Sequence, residues 1–164
     1  MIFFSNKFVW FPFYGWIIYL IFKQNTVKSS LLALLLIAVG ITLSDQTTSA
    51  LLKPLFQRLR PCHVLDLQAI LNLPDGCGGA FGFASSHAAN SMFVAFFCIL
   101  IMPQNIFLHK IFIPWVIMMG WSRVYLAAHY PGDVFFGWLL GAFYAWLLFR
   151  AWKFANKTCA LGRL

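Results

Sequence analysis

Glutamate is absent from this 164-residue sequence, only four aspartates occur, and charged residues of both signs make up 10% of it. A water-exposed surface needs roughly a quarter of its residues charged, so a soluble globular domain is excluded. Intrinsic disorder and coiled coils fall to the same shortage of charge. Four cysteines in a chain of this length do not make a secreted disulfide scaffold. Internal repeats are missing, and so is low complexity beyond the apolar bias. The N-terminal MIFFSNKFVW lacks the polar spacer and small-residue cleavage site of a signal peptide, so Trp10–Phe22 reads as a retained segment.

What remains is strongly apolar. Hydrophobic residues account for 62% and aromatics for 19%, phenylalanine alone occurs 19 times, and the mean hydropathy is +0.80. The expected fold class is all-α: an integral-membrane helical bundle, residues 1–164 forming one membrane-embedded domain. Five apolar runs are predicted to span, at about Phe8–Phe22, Ser29–Thr48, Ser86–Met102, Ile111–Tyr125 and Pro131–Phe149. The net charge of +8 does not imply nucleic acid, because that partner requires an exposed basic face on a soluble domain.

With five spans the loops alternate between two sides. Lys23, Lys28, Lys110, Arg150, Lys153, Lys157 and Arg163 fall on one side with no acid among them. Lys7, Lys53, Arg58, Arg60 and Arg123 fall on the other with Asp45, Asp66, Asp75 and Asp133. The positive-inside rule makes the first side cytoplasmic. The second, periplasmic or exterior, then carries the one long loop, Ser49–Ser85, and the short turn Leu126–Tyr130, which is where a catalytic loop region is expected. The implied location is a cytoplasmic membrane.

Three polar clusters lie on that side. Lys53, Arg58 and Arg60-Pro61 form the first, Ala84-Ser85-Ser86-His87 the second, and Ser122-Arg123, His129 and Asp133 the third. Arginine forks and lysine point charges both neutralise phosphoryl oxygens. Lys53 and Arg60 are seven residues apart, which on a helix places them on one face, with Arg58 turned toward lipid headgroups. Ser85 and Ser86 precede an apolar run and read as a helix cap, whose free N–H groups favour an anion. His87 in the first turn is placed to protonate a leaving oxygen. His129 and Asp133 bracket Pro131, a residue suited to starting a helix; across that start the carboxylate can accept from one imidazole nitrogen and leave the other free to attack. An aspartate at the entrance of a spanning helix is costly unless paired.

Two histidines and an aspartate also suit zinc, but several cations converging on the same point would repel a divalent ion, so no metal and no cofactor are expected. His63 reads as a loop or headgroup contact and His109 as an interface residue. Cys62 and Cys77 both lie in the long outer loop, where oxidation is permitted; a bridge between them would add about 3 kcal/mol by chain entropy, two free thiols being the alternative. Gly76, Gly78 and Gly79 suggest tight turns or close approach of backbone to a ligand. For Asp45, a salt bridge to a site cation and snorkelling to the interface both remain open.

Together the clusters resemble the signature of the type 2 phosphatidic acid phosphatase superfamily, membrane lipid phosphatases related to vanadium haloperoxidases. Its Lys, six residues, Arg-Pro motif is matched by Lys53 to Arg60-Pro61. Pro-Ser-Gly-His is matched by Ala84-Ser85-Ser86-His87, with alanine for proline and serine for glycine. Ser-Arg, five residues, His, three residues, Asp is matched by Ser122-Arg123, His129 and Asp133. The resemblance covers about residues 10–149. It implies attack by His129 through a phosphohistidine, Asp133 orienting the ring and His87 protonating the departing oxygen. Lys53, Arg60, Arg123, the Ser85 hydroxyl and the Ser86 backbone N–H would hold the phosphate. Members of this family often have six spanning helices, so this chain resembles one lacking the first, with an outer N-terminus. The implied substrate is a lipid phosphate from the outer leaflet, lipid A 1-phosphate or undecaprenyl diphosphate ahead of phosphatidylglycerophosphate and phosphatidic acid, with no obligate protein partner. An anion channel and a non-catalytic lipid-binding protein are the readings from other classes.

Overall fold

The computed structural model describes residues 7–68 and 76–161, with Asp75 and Arg163 outside that range and the side chains of Lys7 and Cys159 undescribed. Five main helices account for most of it. Helix α1 is Phe11–Gln24 and α2 is Val27–Gln46, continued by a π-helical stretch at Thr47–Leu52 and by Lys53–Phe56. Helix α3 is Ser86–Ile101, α4 is Ile106–Tyr125 and α5 is Pro131–Leu161.

The local chemistry sets the helix ends. Pro12 sits in the first turn of α1, where its missing N–H costs nothing. Thr26 caps α2 by accepting from the Ser29 N–H at 3.4 Å. Ser85 caps α3 in the same way, its Oγ accepting from Ala88 at 3.4 Å. The extension of α2 stops where Gln57 turns left-handed at φ +46°.

The expectation of five spanning helices is corrected by these lengths. Among the described residues, two helices are long and apolar enough to cross a membrane, Val27–Phe56 with 30 residues and Pro131–Lys157 with 27. At 1.5 Å per residue α1 (14 residues) reaches about 21 Å and α3 (16 residues) about 24 Å, short of the roughly 30 Å hydrocarbon core. Helix α4 has 20 residues, but His109, Lys110, Pro114 and Arg123 dilute its apolar character. Sidedness by alternation of five spans loses its basis with that count. The outer loop is also shorter than expected, because residues 49–56 continue α2. The protein is nonetheless membrane-associated: Leu31, Leu35 and Val39 on α2, and Phe135, Phe136, Leu139, Phe143 and Trp146 on α5, present large apolar side chains outward.

Inside, Phe93, Phe97, Phe112, Ile21 and Leu108 are fully buried in one cluster that Trp115 joins. Helices α3 and α5 share the most extensive interface. Gly137 and Gly141, one turn apart on α5, permit it. A Cβ at Gly137 would lie 2.6 Å from the Ser85 carbonyl oxygen, and one at Gly141 would strike the Ala89 carbonyl. Small residues four apart let two backbones approach in lipid, where packing rather than water expulsion drives association. Gly141→Ala therefore forces α5 off α3. A loss of about 1–3 kcal/mol is expected, read as a lower melting temperature in detergent; an unchanged melting temperature would refute this account of the interface.

Candidate active site

Helices α2 and α4 run toward one end of the bundle, while α3 and α5 start there. The C-terminal ends of the first pair and the N-terminal ends of the second thus place Lys53, His87, Arg123 and Asp133 at a common end. The loop after α2 closes over it. Arg60 joins its backbone N–H to the Ala80 carbonyl at 3.0 Å, and Gly82 N–H reaches the Arg58 carbonyl at 2.8 Å. Cys62 and Cys77 are disulfide-bonded, with Cα atoms 5.8 Å apart, and the Cys62 N–H donates to the Ala127 carbonyl at 3.3 Å. The segment carrying Arg60 is thereby fastened to the turn carrying His129.

His129 is buried, and its Nδ1 lies 2.8 Å from the Gly82 carbonyl oxygen. A carbonyl only accepts, so Nδ1 carries the proton and Nε2 keeps its lone pair. Asp133 was expected to accept from this ring, but its Oδ2 is 3.8 Å from Nδ1. Both carboxylate oxygens have other donors. Oδ2 takes the Tyr130 N–H at 2.9 Å and Oδ1 takes Arg58 Nη1 at 3.0 Å. Asp133 thus faces the imidazole as a nearby negative charge, while Gly82 fixes the tautomer. Burial lowers the His129 pKa, the charge of Arg60 lowers it further, and Asp133 opposes both.

Arg58, expected to face lipid headgroups, also reaches into the site. Its guanidinium bonds Asp133 and lies over the Tyr130 ring at 4.2 Å from the centroid. The reason is the left-handed Gln57: with the helix ended at Phe56, Lys53 and Arg60 share no helical face, and residues 58–60 run as extended loop. Helical spacing therefore gave no signal for Arg58. Arg60 instead packs its Nη1 close to Gly78, where a Cβ would come within 2.9 Å, and donates from Nε to the Phe81 carbonyl at 3.2 Å.

Ser86 adds a hydroxyl where the resembling motif has glycine. It bonds Thr48 Oγ1 at 2.7 Å and Ser49 Oγ at 3.2 Å, and accepts from Lys53 Nζ at 3.1 Å. That contact holds the lysine amine at the N-terminus of α3, a pole already favourable to anions. Ser85 is fully buried, and its N–H donates to the Asp133 carbonyl at 3.0 Å. Arg123 is buried, with Nε donating to Ser122 Oγ at 3.2 Å. His87 opens to a cleft, but protein atoms around it and the charges of Arg123, His129, Lys53 and Arg60 press its pKa down to about 4. Those four groups acting on one imidazole mark the convergence of all three clusters.

Cys62, His63 and Cys77 present ligand atoms within 4.8 Å of one another. The two sulfurs are bonded to each other, so they are not thiolates, and His63 Nε2 is 2.9 Å from the Gly78 carbonyl. This donor set does not suit a metal.

Residues 31–157 match the PAP2 superfamily. The chain belongs to the PAP2 superfamily. Among relatives of this PAP2 chain, a lipid A 4'-phosphatase of Bacteroides thetaiotaomicron is 37% identical over 89% of it, and one of Porphyromonas gingivalis is 26% identical over 93%. In both cases the PAP2 chain spans 65% of the relative's length. A PAP2-type phosphatidylglycerolphosphate phosphatase from Bacillus subtilis shares the fold, with TM-score 0.61 and 22% identity over 93% of this chain and 71% of that one.

Proposed function

We propose that this PAP2 protein hydrolyses a phosphate monoester from a membrane lipid by way of a phosphohistidine. The observation that carries the reading is that His87, at the polar end of an apolar cleft, lies within electrostatic reach of His129 and of the cations Lys53, Arg60 and Arg123. The cleft, of about 390 Å³, runs between α1, α2, α3 and α4, walled by Ile18, Ile37, Ile41 and Met119 and ending at Ser86 and His87. An acyl chain fits such a wall, and a phosphate fits such an end.

In the first half-reaction the His129 Nε2 lone pair forms a bond to phosphorus as the bond to the lipid oxygen breaks, and His87 delivers a proton to that oxygen. In the second, His87 takes a proton from water, the water oxygen bonds phosphorus and the N–P bond breaks. Cations and the α3 N-terminus hold the equatorial charge throughout, which is the larger part of phosphoryl-transfer catalysis. No step is assigned to a metal.

The lipid A phosphatases among the relatives favour a lipid A phosphate, at the 4' rather than the 1 position, over undecaprenyl diphosphate. The disulfide beside the site favours a periplasmic face, since such bonds persist in oxidising compartments. Detergent-purified protein in EDTA should release phosphate from lipid A faster than from undecaprenyl diphosphate or phosphatidic acid, with mass spectrometry locating the phosphate lost. Absence of release from every lipid would overturn the reading.

Arg58 enters as a positioning residue, since it neutralises and locks Asp133 without belonging to the phosphate anchors. Arg58→Ala should lower kcat about tenfold with a smaller change in KM, and Arg58→Lys should recover part of it. An equal loss in both variants, with KM rising instead, would place Arg58 on the substrate itself.

A further inference from the structure

The cleft holds polar groups that the proposed chemistry leaves unused. Asp45 and Asn90 line it beside Tyr14, Ser91 and apolar side chains, and the Ser91 hydroxyl is already committed to the Ala88 carbonyl. Their depth follows from the antiparallel run of α2 and α3. Ser86 on α3 is hydrogen-bonded to Thr48 and Ser49 on the π-helical continuation of α2, so those positions are level. Asn90 lies four residues beyond Ser86, and Asp45 lies four before Ser49. Each is therefore one turn deeper, about 6 Å along the axis, beneath the Lys53 amine that Ser86 holds.

Neither side chain is satisfied within the protein. Asn90 Oδ1 is buried without a hydrogen-bond partner. The Asp45 carboxylate makes no hydrogen bond or ion pair among the described residues, and Lys53 acts on it only through space. An ionisable side chain on a candidate spanning helix, half-buried and unpaired, is costly to keep and marks a ligand site by default. A buried acceptor without a donor carries a similar cost.

We infer that Asp45, with the Asn90 amide at the same depth, forms a specificity site whose carboxylate accepts a hydrogen bond from an amide N–H or hydroxyl of the lipid, about 6 Å deeper along the cleft than the Lys53 amine. This rests on the phosphatase reading and sharpens it. The substrate class becomes an amide-linked, hydroxyl-bearing lipid phosphate, such as an N-acylated amino sugar. Lipids with only ester or isoprenoid groups near the phosphate would leave the Asp45 carboxylate unpaired, and sites built to bond a donor discriminate strongly against its absence.

Ceramide 1-phosphate and phosphatidic acid of matched chain length test this, since both are two-chain phosphomonoesters and only the former carries an amide N–H and a hydroxyl near phosphorus. Wild type should favour ceramide 1-phosphate by about tenfold or more in kcat/KM, the worth of one hydrogen bond or more. Asp45→Ala and Asn90→Ala should each shrink that ratio several-fold, and Asp45→Asn, which keeps an acceptor, should retain part of it. Parallel losses on both lipids would overturn the inference and make Asp45 a counter-ion of Lys53. A ratio near one in wild type, or one untouched by either alanine, would overturn it while leaving the phosphatase reading intact. Absence of turnover of any lipid would remove both.

Discussion

His129→Ala is expected to reduce phosphate release on the order of a thousandfold or more. The size follows from the position of the ring. Nδ1–H is committed to the Gly82 carbonyl at 2.8 Å, so the one lone pair available for attack is on Nε2. Burial and Arg60 hold the pKa of His129 below its ordinary value of 6.5, and the ring is therefore neutral and nucleophilic at pH 7. When phosphorus bonds Nε2 the ring becomes cationic. Asp133, 3.8 Å from Nδ1, then opposes that charge without having moved. Acid-stable mapping would miss the adduct, because phosphohistidine is lost in acid; quenching in base and locating the label by mass spectrometry should place it on His129 in wild type and nowhere in the variant. A variant releasing phosphate at the wild-type rate would remove His129 from the mechanism.

His87→Ala should cost about a hundredfold to ten-thousandfold on a lipid phosphate, and far less on an aryl phosphate whose leaving group needs no proton. The pH dependence carries the same assignment. In the free protein the His87 pKa is pressed down to about 4 by the protein around it and by Arg123, His129, Lys53 and Arg60, so at pH 7 few molecules hold the required proton. A bound phosphate dianion cancels those charges and raises the pKa, loading the acid as substrate arrives. For kcat/KM, which reports the free protein, the protonated fraction grows as pH falls, whereas His129 stays neutral until its own lowered pKa is reached. The profile should therefore decline from mildly acidic toward alkaline pH, and His87→Ala should flatten that limb. A limb retained in the variant would assign it to the substrate's own phosphate ionisation.

Much of the site was legible because its residues recur at short spacings. Ser122-Arg123, His129 and Asp133 occupy the end of one helix, a turn and the start of the next, so their proximity needs little tertiary information. Ser85 was readable as a cap, since a hydroxyl ahead of an apolar run satisfies an orphan N–H. Arg58 was not readable. Its placement depends on the left-handed Gln57, which breaks the helical phase between Lys53 and Arg60, and on a carboxylate 75 residues away. The Gly82 carbonyl was equally hidden, because a backbone acceptor leaves no mark in residue identity.

Composition and motif spacing by themselves determined that the chain is all-α, apolar enough to require lipid, and equipped with histidines and cations for phosphate chemistry. The last two follow from short-range physics: too little charge to coat a soluble surface, and functional groups linked by a few residues of chain. Tertiary structure decided how many helices are long enough to span, that Asp133 is held by Arg58 and Tyr130 rather than by the imidazole, and that Asp45 and Asn90 share one level of the cleft. Those outcomes rest on where helices end and which faces meet, and packing between residues far apart in the chain sets both.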